Sequence, residues 1–106
     1  MSDKADLKQA LEQLITAIQT TTELFYTQHE AEGYQAFGML LGPMSTVLDR
    51  LFAAHGAGVI ELDEQELLRL LTEAMNAMEQ RDGVLLADIL QYDFLDQLEQ
   101  LKNQLD

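Results

Sequence analysis

The two histidines, His29 and His55, are the residues whose chemistry would most directly support a metal site. Di-iron helical bundles use a Glu-x-x-His pair on each of two helices, together with inward-facing carboxylates from two others. Here the residues three positions before the histidines are Tyr26 and Phe52, so neither histidine has the required partner. Both histidines lie near predicted helix ends, where an imidazole interacts favourably with the negative end of the helix dipole. We therefore predict no metal ligands.

Residues for covalent catalysis are equally scarce. Cysteine is absent, and neither Ser2 nor Ser45 lies in a Gly-x-Ser-x-Gly turn that would expose a nucleophile. The segment Gly56-Ala57-Gly58 lacks the third glycine and the following lysine of a phosphate-binding loop. Nineteen acidic residues make any single pair of carboxylates uninformative about acid–base catalysis. The sequence predicts a protein that is not an enzyme and has no catalytic or cofactor-binding residues.

Asp88 is the carboxylate with the most unusual predicted surroundings. Four of its neighbours three, four or seven positions away share its helix face and are apolar or aromatic: Val84, Leu85, Tyr92 and Leu95. A carboxylate among apolar groups needs a hydrogen bond, a cation or a proton. One interpretation is that Asp88 caps a helix start or pairs with an arginine, the candidates being Arg50, Arg69 and Arg81. The other is that Asp88 and Tyr92 mark a surface that a partner protein, or a second copy of the chain, covers.

Gly38 and Gly42 form a second candidate contact surface, since small residues four positions apart let another helix approach closely. Each glycine inside a helix costs about 0.5–1 kcal/mol relative to alanine, so a packing role would offset that cost. The alternative is that the two glycines only loosen the helix beside Pro43. The sequence leaves both interpretations open.

The elements that carry these residues follow from the spacing of apolar residues. Four segments repeat apolar residues every three or four positions, which is typical of amphipathic helices and predicts an all-α fold. Glycine-containing turns separate the segments, and the whole chain, 1–106, is predicted to be a single helical domain. The predicted helices span about 3–30, 33–55, 63–80 and 83–105. Predicted N-caps are Ser2 or Asp3, Asp63 (with Glu66 three residues later), and Asp82 or Gly83.

Four helices joined by short turns predict an up-down-up-down antiparallel four-helix bundle. The Gly42-Pro43 step interrupts the second helix, and it either splits the helix in two or kinks it. The apolar stripe stays in phase from Phe37 through Met44 to Leu51. This continuity favours a single helix that is kinked at Gly42-Pro43.

Charge restricts the partners that this chain can bind. Six basic and nineteen acidic residues give a formal net charge of −13 at pH 7, with −9 in residues 57–106 and −4 in residues 1–56. Such a charge repels phosphate backbones and anionic lipids, so we expect no nucleic-acid partner and no membrane partner. The sequence has no signal-peptide pattern and no apolar run long enough to cross a bilayer. Together with the absence of cysteine, this predicts a cytoplasmic protein.

A fourteen-residue stretch at the start of the fourth predicted helix carries a family resemblance. The pattern Asp82-x-Val84-Leu85-Leu86-Ala87-Asp88-Ile89-Leu90-x-Tyr92-Asp93-x-Leu95 resembles a segment of small acidic all-helical proteins of Gram-positive bacteria that have no assigned function. Gly83 stands where that pattern has a bulkier residue. The resemblance implies a helical fold, with no chemistry attached to it.

The function we expect is that of a protein–protein interaction module. From Val84 to Leu95 nearly every helical direction is apolar, which is more than one bundle face needs, and the four methionines Met39, Met44, Met75 and Met78 offer an adaptable surface. The module would form a homodimer or, like a chaperone, hold an apolar helix of another protein. The alternative is a small-molecule or metal-binding bundle with an internal pocket near Tyr34, Asp88 and Tyr92.

Overall fold

The computed structural model describes residues 3–106 and contains four helices. The first three are α1 (Asp3–Tyr26), α2 (Glu30–Gly56) and α3 (Glu64–Glu79). The fourth, α4, is made of three contiguous segments: an α-helical segment Gly83–Asp88, a π-helical segment Ile89–Phe94 and an α-helical segment Leu95–Gln104. There is no strand within residues 3–106, so the predicted all-α class with four helices is confirmed.

Two helices begin at the predicted N-caps. The Asp63 carboxylate accepts a hydrogen bond from the backbone N–H of Glu66 at 3.1 Å. The Asp82 carboxylate likewise accepts from the N–H of Leu85 at 3.1 Å. Each bond satisfies one of the free N–H groups of a helix N-terminus, so the capping predictions for α3 and α4 are confirmed. The alternative cap Ser2 lies outside the described residues.

The three connections between helices share one backbone motif. Each contains a residue with positive φ: Gln28 (65°), Gly58 (77°) and Arg81 (57°). The next backbone N–H donates to the carbonyl five residues earlier, at 2.7–2.9 Å, in the pairs His29–Leu24, Val59–Ala54 and Asp82–Ala77. This is the Schellman motif, in which the left-handed residue is usually glycine. Two of the three left-handed residues are not glycine, so the sequence does not mark the turn at Gln28. Helix α1 ends at Tyr26, four residues before its predicted end, and α2 begins at Glu30, three residues before its predicted start.

We expect Gln28→Gly to raise the free energy of unfolding by about 1 kcal/mol. A side chain in the left-handed region costs about 1–2 kcal/mol, and the greater freedom of glycine in the unfolded chain offsets part of the gain. Urea denaturation followed by circular dichroism measures the change. The matched control is Gln9→Gly, an exposed position inside α1, which should lower stability by about 1 kcal/mol. Two changes of the same sign would contradict the assigned turn.

Helix α2 continues through Pro43 as a single element, so the interpretation of two separate short helices is wrong. Pro43 lies on an exposed part of the helix. The Thr46 hydroxyl donates to the carbonyl of Gly42 at 3.2 Å, one turn earlier. The kink at Gly42-Pro43 stays a prediction.

The core lies where α1 and α4 meet, with α2 packed against α1 and α3 packed against α4. At one end, Lys8 of α1 forms an ion pair with Asp106, and at the other end Tyr26 of α1 contacts Asp88 of α4. Helices α1 and α4 therefore run in opposite directions. The up-down-up-down order stays a prediction, and these end contacts agree with it. The largest fully buried side chains include Phe37, Phe94, Leu11, Ile18, Met44, Leu51, Leu90 and Leu98.

Candidate interaction surface

Four large apolar side chains lie exposed at one end of the contact between α1 and α4. They are Tyr26 (44% exposed), Val84 (64%), Leu85 (44%) and Tyr92 (67%), and half-buried Asp88 lies among them. We call these five residues the tyrosine patch. On α4, Val84 and Leu85 lie four and three positions before Asp88, and Tyr92 lies four positions after it, which places them on the helix face of Asp88. The patch therefore presents an apolar surface around one carboxylate.

A hydrogen bond between α1 and α4 organises the patch. The Tyr26 hydroxyl donates to Asp88 Oδ1 at 2.6 Å. Partial burial of the hydroxyl, and then this bond to a carboxylate, raise the pKa of Tyr26 above its usual value of 10.0. Because the neutral phenol is favoured in the folded protein, its contribution to stability is present below pH 10 and is lost as the pH rises through the higher folded-state pKa. The sequence pattern does not single out Tyr26.

The arginines that the sequence offers to Asp88 do not pair with it. Arg69 pairs with Glu66 and Glu73 on its own helix, and the Arg81 guanidinium lies 4.9 Å from the centre of the Tyr34 ring. Within residues 3–106, no lysine or arginine, Arg50 included, forms a salt bridge with Asp88. The interpretation of Asp88 as half of a buried ion pair is therefore wrong. Its partner is a phenol.

Close packing around Phe25, the residue before Tyr26, fixes the end of α1. The Phe25 ring lies between two buried glycines, Gly33 of α2 and Gly83 of α4. A Cβ atom would lie 2.9–3.0 Å from ring carbons if placed on Gly33 and 3.0–3.2 Å from them if placed on Gly83, which is inside van der Waals contact. The ring also meets Tyr34 edge-to-face, with the ring centres 5.0 Å apart. These contacts hold the end of α1 against the start of α4, and so place Tyr26 opposite Asp88.

Tyr92 of the patch lies within the π-helical segment Ile89–Phe94. The backbone N–H of Leu95 donates to the carbonyl of Leu90, five residues earlier, as π-helical geometry requires. On the α1 side, the buried Thr22 hydroxyl contacts Gln91 Oε1 at 3.1 Å, so a polar contact crosses the helix interface within this segment. Single π turns inside α-helices are frequent at functional sites. The sequence pattern contains no signal of this segment.

The structure brings together four of the residues predicted from the sequence, Val84, Leu85, Asp88 and Tyr92, and separates the others. The prediction that Leu95 belongs to this surface is wrong, because Leu95 is only 5% exposed and belongs to the core. The prediction that four methionines form an adaptable surface is also wrong. Met39 is exposed, whereas the remaining methionines considered are buried or half-buried, namely Met44, Met75 and Met78.

Gly38 and Gly42 lie on an exposed part of α2. A Cβ atom on either glycine would meet no heavy atom of another element within 4 Å. The close helix approach that their spacing permits therefore does not occur within the described chain. Their role in contact with another molecule stays a prediction.

The internal pocket near Asp88 and Tyr92 has no support in the structure. Tyr92 is on the outer surface, and Leu86, Leu90 and Phe94 of the same helix are fully buried in the hydrophobic core. Among residues 3–106, no group of three or more His, Asp or Glu side chains is gathered to hold a metal ion. The buried Tyr34 hydroxyl has no hydrogen-bond partner in this part of the chain, and its ring packs against Phe25 rather than lining a pocket with Asp88.

Fold and surface together define a class: an acidic four-helix protein with an exposed tyrosine patch at one end. The sequence model of a protein family described as a domain of unknown function, DUF8042, matches residues 5–104. Because this match covers nearly the whole sequence, the chain belongs to that family. This confirms the resemblance to a family without assigned function, while the acidity of that family and its Gram-positive origin stay predictions.

No curated protein and no solved structure matches the chain. Across residues 3–106, none of the helices combines the length and apolar character needed to cross a membrane.

Proposed function

We propose that this protein is a non-enzymatic interaction module that binds another protein through the tyrosine patch, in the cytoplasm. The observation that carries the proposal is the exposure of four large apolar side chains on one surface. An isolated exposed hydrophobic residue is ordinary, but a contiguous group marks a contact site. Tyrosine is also enriched among the residues that dominate protein–protein binding energy.

The surroundings of the patch support this use. The Tyr26–Asp88 hydrogen bond and the packing of Phe25 hold the two helices that form the patch, so binding would order few additional groups. A pre-organised surface loses less conformational entropy when a partner binds. The net charge of −13 would also speed encounter with a partner of opposite charge and disfavour nucleic acid.

Site-specific photo-crosslinking in cells that produce the protein tests the proposal. A benzophenone amino acid replaces Val84 in the patch, or Val59 as the matched control. Val59 is similarly exposed, at 48%, but it lies at the opposite end of the molecule beside Asp3 and Leu105. We expect a discrete adduct with another protein from position 84 and none from position 59. Absence of adducts from positions 84, 85 and 92 would overturn the proposal.

Self-association through the same surface is the second candidate, because a two-fold dimer would cover two copies of the patch. Sedimentation equilibrium at micromolar concentration separates the two candidates. A dimer that is lost in Val84→Asp would assign the patch to self-association. A monomer at every concentration would leave a different protein as the occupant.

A further inference from the structure

We infer that the tyrosine patch receives an arginine side chain of the partner, which pairs with Asp88 and stacks on the rings of Tyr26 and Tyr92. This inference rests on the proposed function, and it names the chemistry of the occupant: an apolar protein segment with an arginine near its centre. Three features carry it. They are the incompletely satisfied carboxylate, the two exposed aromatic rings beside it, and the absence, within residues 3–106, of a salt bridge from any basic residue to this carboxylate.

The carboxylate of Asp88 has unused acceptor capacity. An ionised carboxylate has about four acceptor positions on two oxygens. Within residues 3–106, the one side-chain hydrogen bond to Asp88 comes from Tyr26 and ends on Oδ1. Val84 and Leu85 stand one turn away, so a partner that covered these apolar groups would also remove water from the carboxylate. A buried carboxylate with free acceptor positions is costly, so tight binding favours a partner that supplies a cation to it.

The two tyrosines favour a planar cation. Tyr92 lies four positions after Asp88, one helical turn away, and it is 67% exposed. The Tyr92 hydroxyl is also close enough to Tyr26 to contribute to the raised pKa of Tyr26, although less than burial and Asp88 do. Aromatic faces attract cations, and guanidinium stacks on them while it donates hydrogen bonds in its own plane. Lysine is a compact, strongly hydrated charge and satisfies this arrangement less well.

Charge also argues against a second copy of the chain as the occupant. The basic residues of the two helices that form the patch lie near the far end: Lys4 and Lys8 on α1 and Lys102 on α4. Lys102 is fourteen residues from Asp88, or about 21 Å along the helix. Arg81 is engaged with the Tyr34 ring. A two-fold contact between patches would therefore bring two carboxylates together without a cation, inside a dimer of two chains that each carry −13.

Titration with a minimal probe tests the inference on the intact chain. The probe is Nα-acetyl-L-arginine N-methylamide, and the comparison is the same compound with citrulline, which has the same shape and no charge. Nuclear magnetic resonance follows the ring signals of Tyr26 and Tyr92. We expect the arginine probe to shift both rings and to bind about tenfold more tightly than the citrulline probe. In Asp88→Asn, this preference should fall to about twofold or less.

Asp93→Asn is the matched control, because it removes the same charge from an exposed position five residues later on the same helix, next to Tyr92. The amide introduced by Asp88→Asn retains an oxygen that can accept the Tyr26 hydrogen bond, and circular dichroism checks that both variants are folded. Equal losses in the two variants would show attraction by net charge alone and overturn the inference. Equal binding of the two probes, or the absence of ring shifts, would also overturn it. None of these results affects the proposed function, which the crosslinking at position 84 tests separately.

Discussion

Leu95→Asp is expected to lower the free energy of unfolding by about 3–5 kcal/mol, whereas Val84→Asp should change it by less than about 0.5 kcal/mol. Leu95 is 5% exposed, so the new carboxylate would be buried without a partner. Val84 is 64% exposed and lies in the first turn of α4, where the helix dipole favours a negative charge and offsets repulsion from Asp88. The sequence singles out both residues as neighbours of Asp88, so the pair tests which of them belongs to the surface.

Urea denaturation of the two variants measures this difference. Val84→Asp should retain the helical circular dichroism of the parent protein while it loses the crosslinked adduct formed from position 85 or 92. That variant separates binding from folding. Leu95→Asn is the control for charge, because a buried amide costs less than a buried carboxylate and should lower stability by a smaller amount. Similar stabilities of Leu95→Asp and Val84→Asp would contradict the placement of Leu95 in the core.

Val84 is exposed and Leu95 is buried, and this difference shows where the helical period stops predicting which residues share a surface. At 3.6 residues per turn, a residue seven positions from Asp88 returns to the same face. The same helical period correctly places Val84 and Leu85, four and three positions before Asp88, on its face, and all three residues lie before the π-helical segment. Each residue added by a wider turn rotates the following residues by about 100°. Leu95 follows the segment Ile89–Phe94, so it is turned away from the patch and into the core.

The glycines show a second limit of sequence reading. Glycine is the usual residue at positive φ, so the sequence predicts that glycines provide the left-handed residues of the turns. In two of the three connections Gln28 and Arg81 have that conformation instead, and Gly33 and Gly83 lie within helices. Tertiary packing explains why glycine occupies these two positions, because each glycine allows the Phe25 ring to approach the backbone. A single sequence contains no sign of such a contact, since the residues involved are far apart along the chain.

The hydrogen bond between Tyr26 and Asp88 is beyond prediction for the same reason. Sixty-two positions separate the two residues, and the sequence offers three arginines, Arg50, Arg69 and Arg81, as the more obvious partners of Asp88. The sequence does predict that Asp88, as a carboxylate among apolar residues, requires a hydrogen bond, a cation or a proton. The structure supplies Tyr26 as that donor, and the hydrogen bond occupies only Oδ1 of the carboxylate.

Gly33→Ala and Gly38→Ala should change stability in opposite directions, although both replace a glycine inside α2. At Gly38 the new methyl group meets open space, so the better helix propensity of alanine should raise the free energy of unfolding by about 0.5–1 kcal/mol. At Gly33 it would lie 2.9 Å from Phe25 Cε2 and Cζ. The ring cannot retreat, because Gly83 packs against its other side.

Overpacking of this kind costs about 1–3 kcal/mol, so the net effect of Gly33→Ala should be a loss of about 1–2 kcal/mol after the gain in propensity is subtracted. Thermal and urea unfolding of the two variants measure the signs. The double variant Gly33→Ala with Phe25→Leu tests the cause, because a smaller side chain at position 25 relieves the overlap and the two changes should be non-additive. If Gly33→Ala stabilised the protein as Gly38→Ala does, Phe25 would not be held between two backbones. The end of α1 would then be free to move away from α4, and Tyr26 and Asp88 would no longer be held together by the fold.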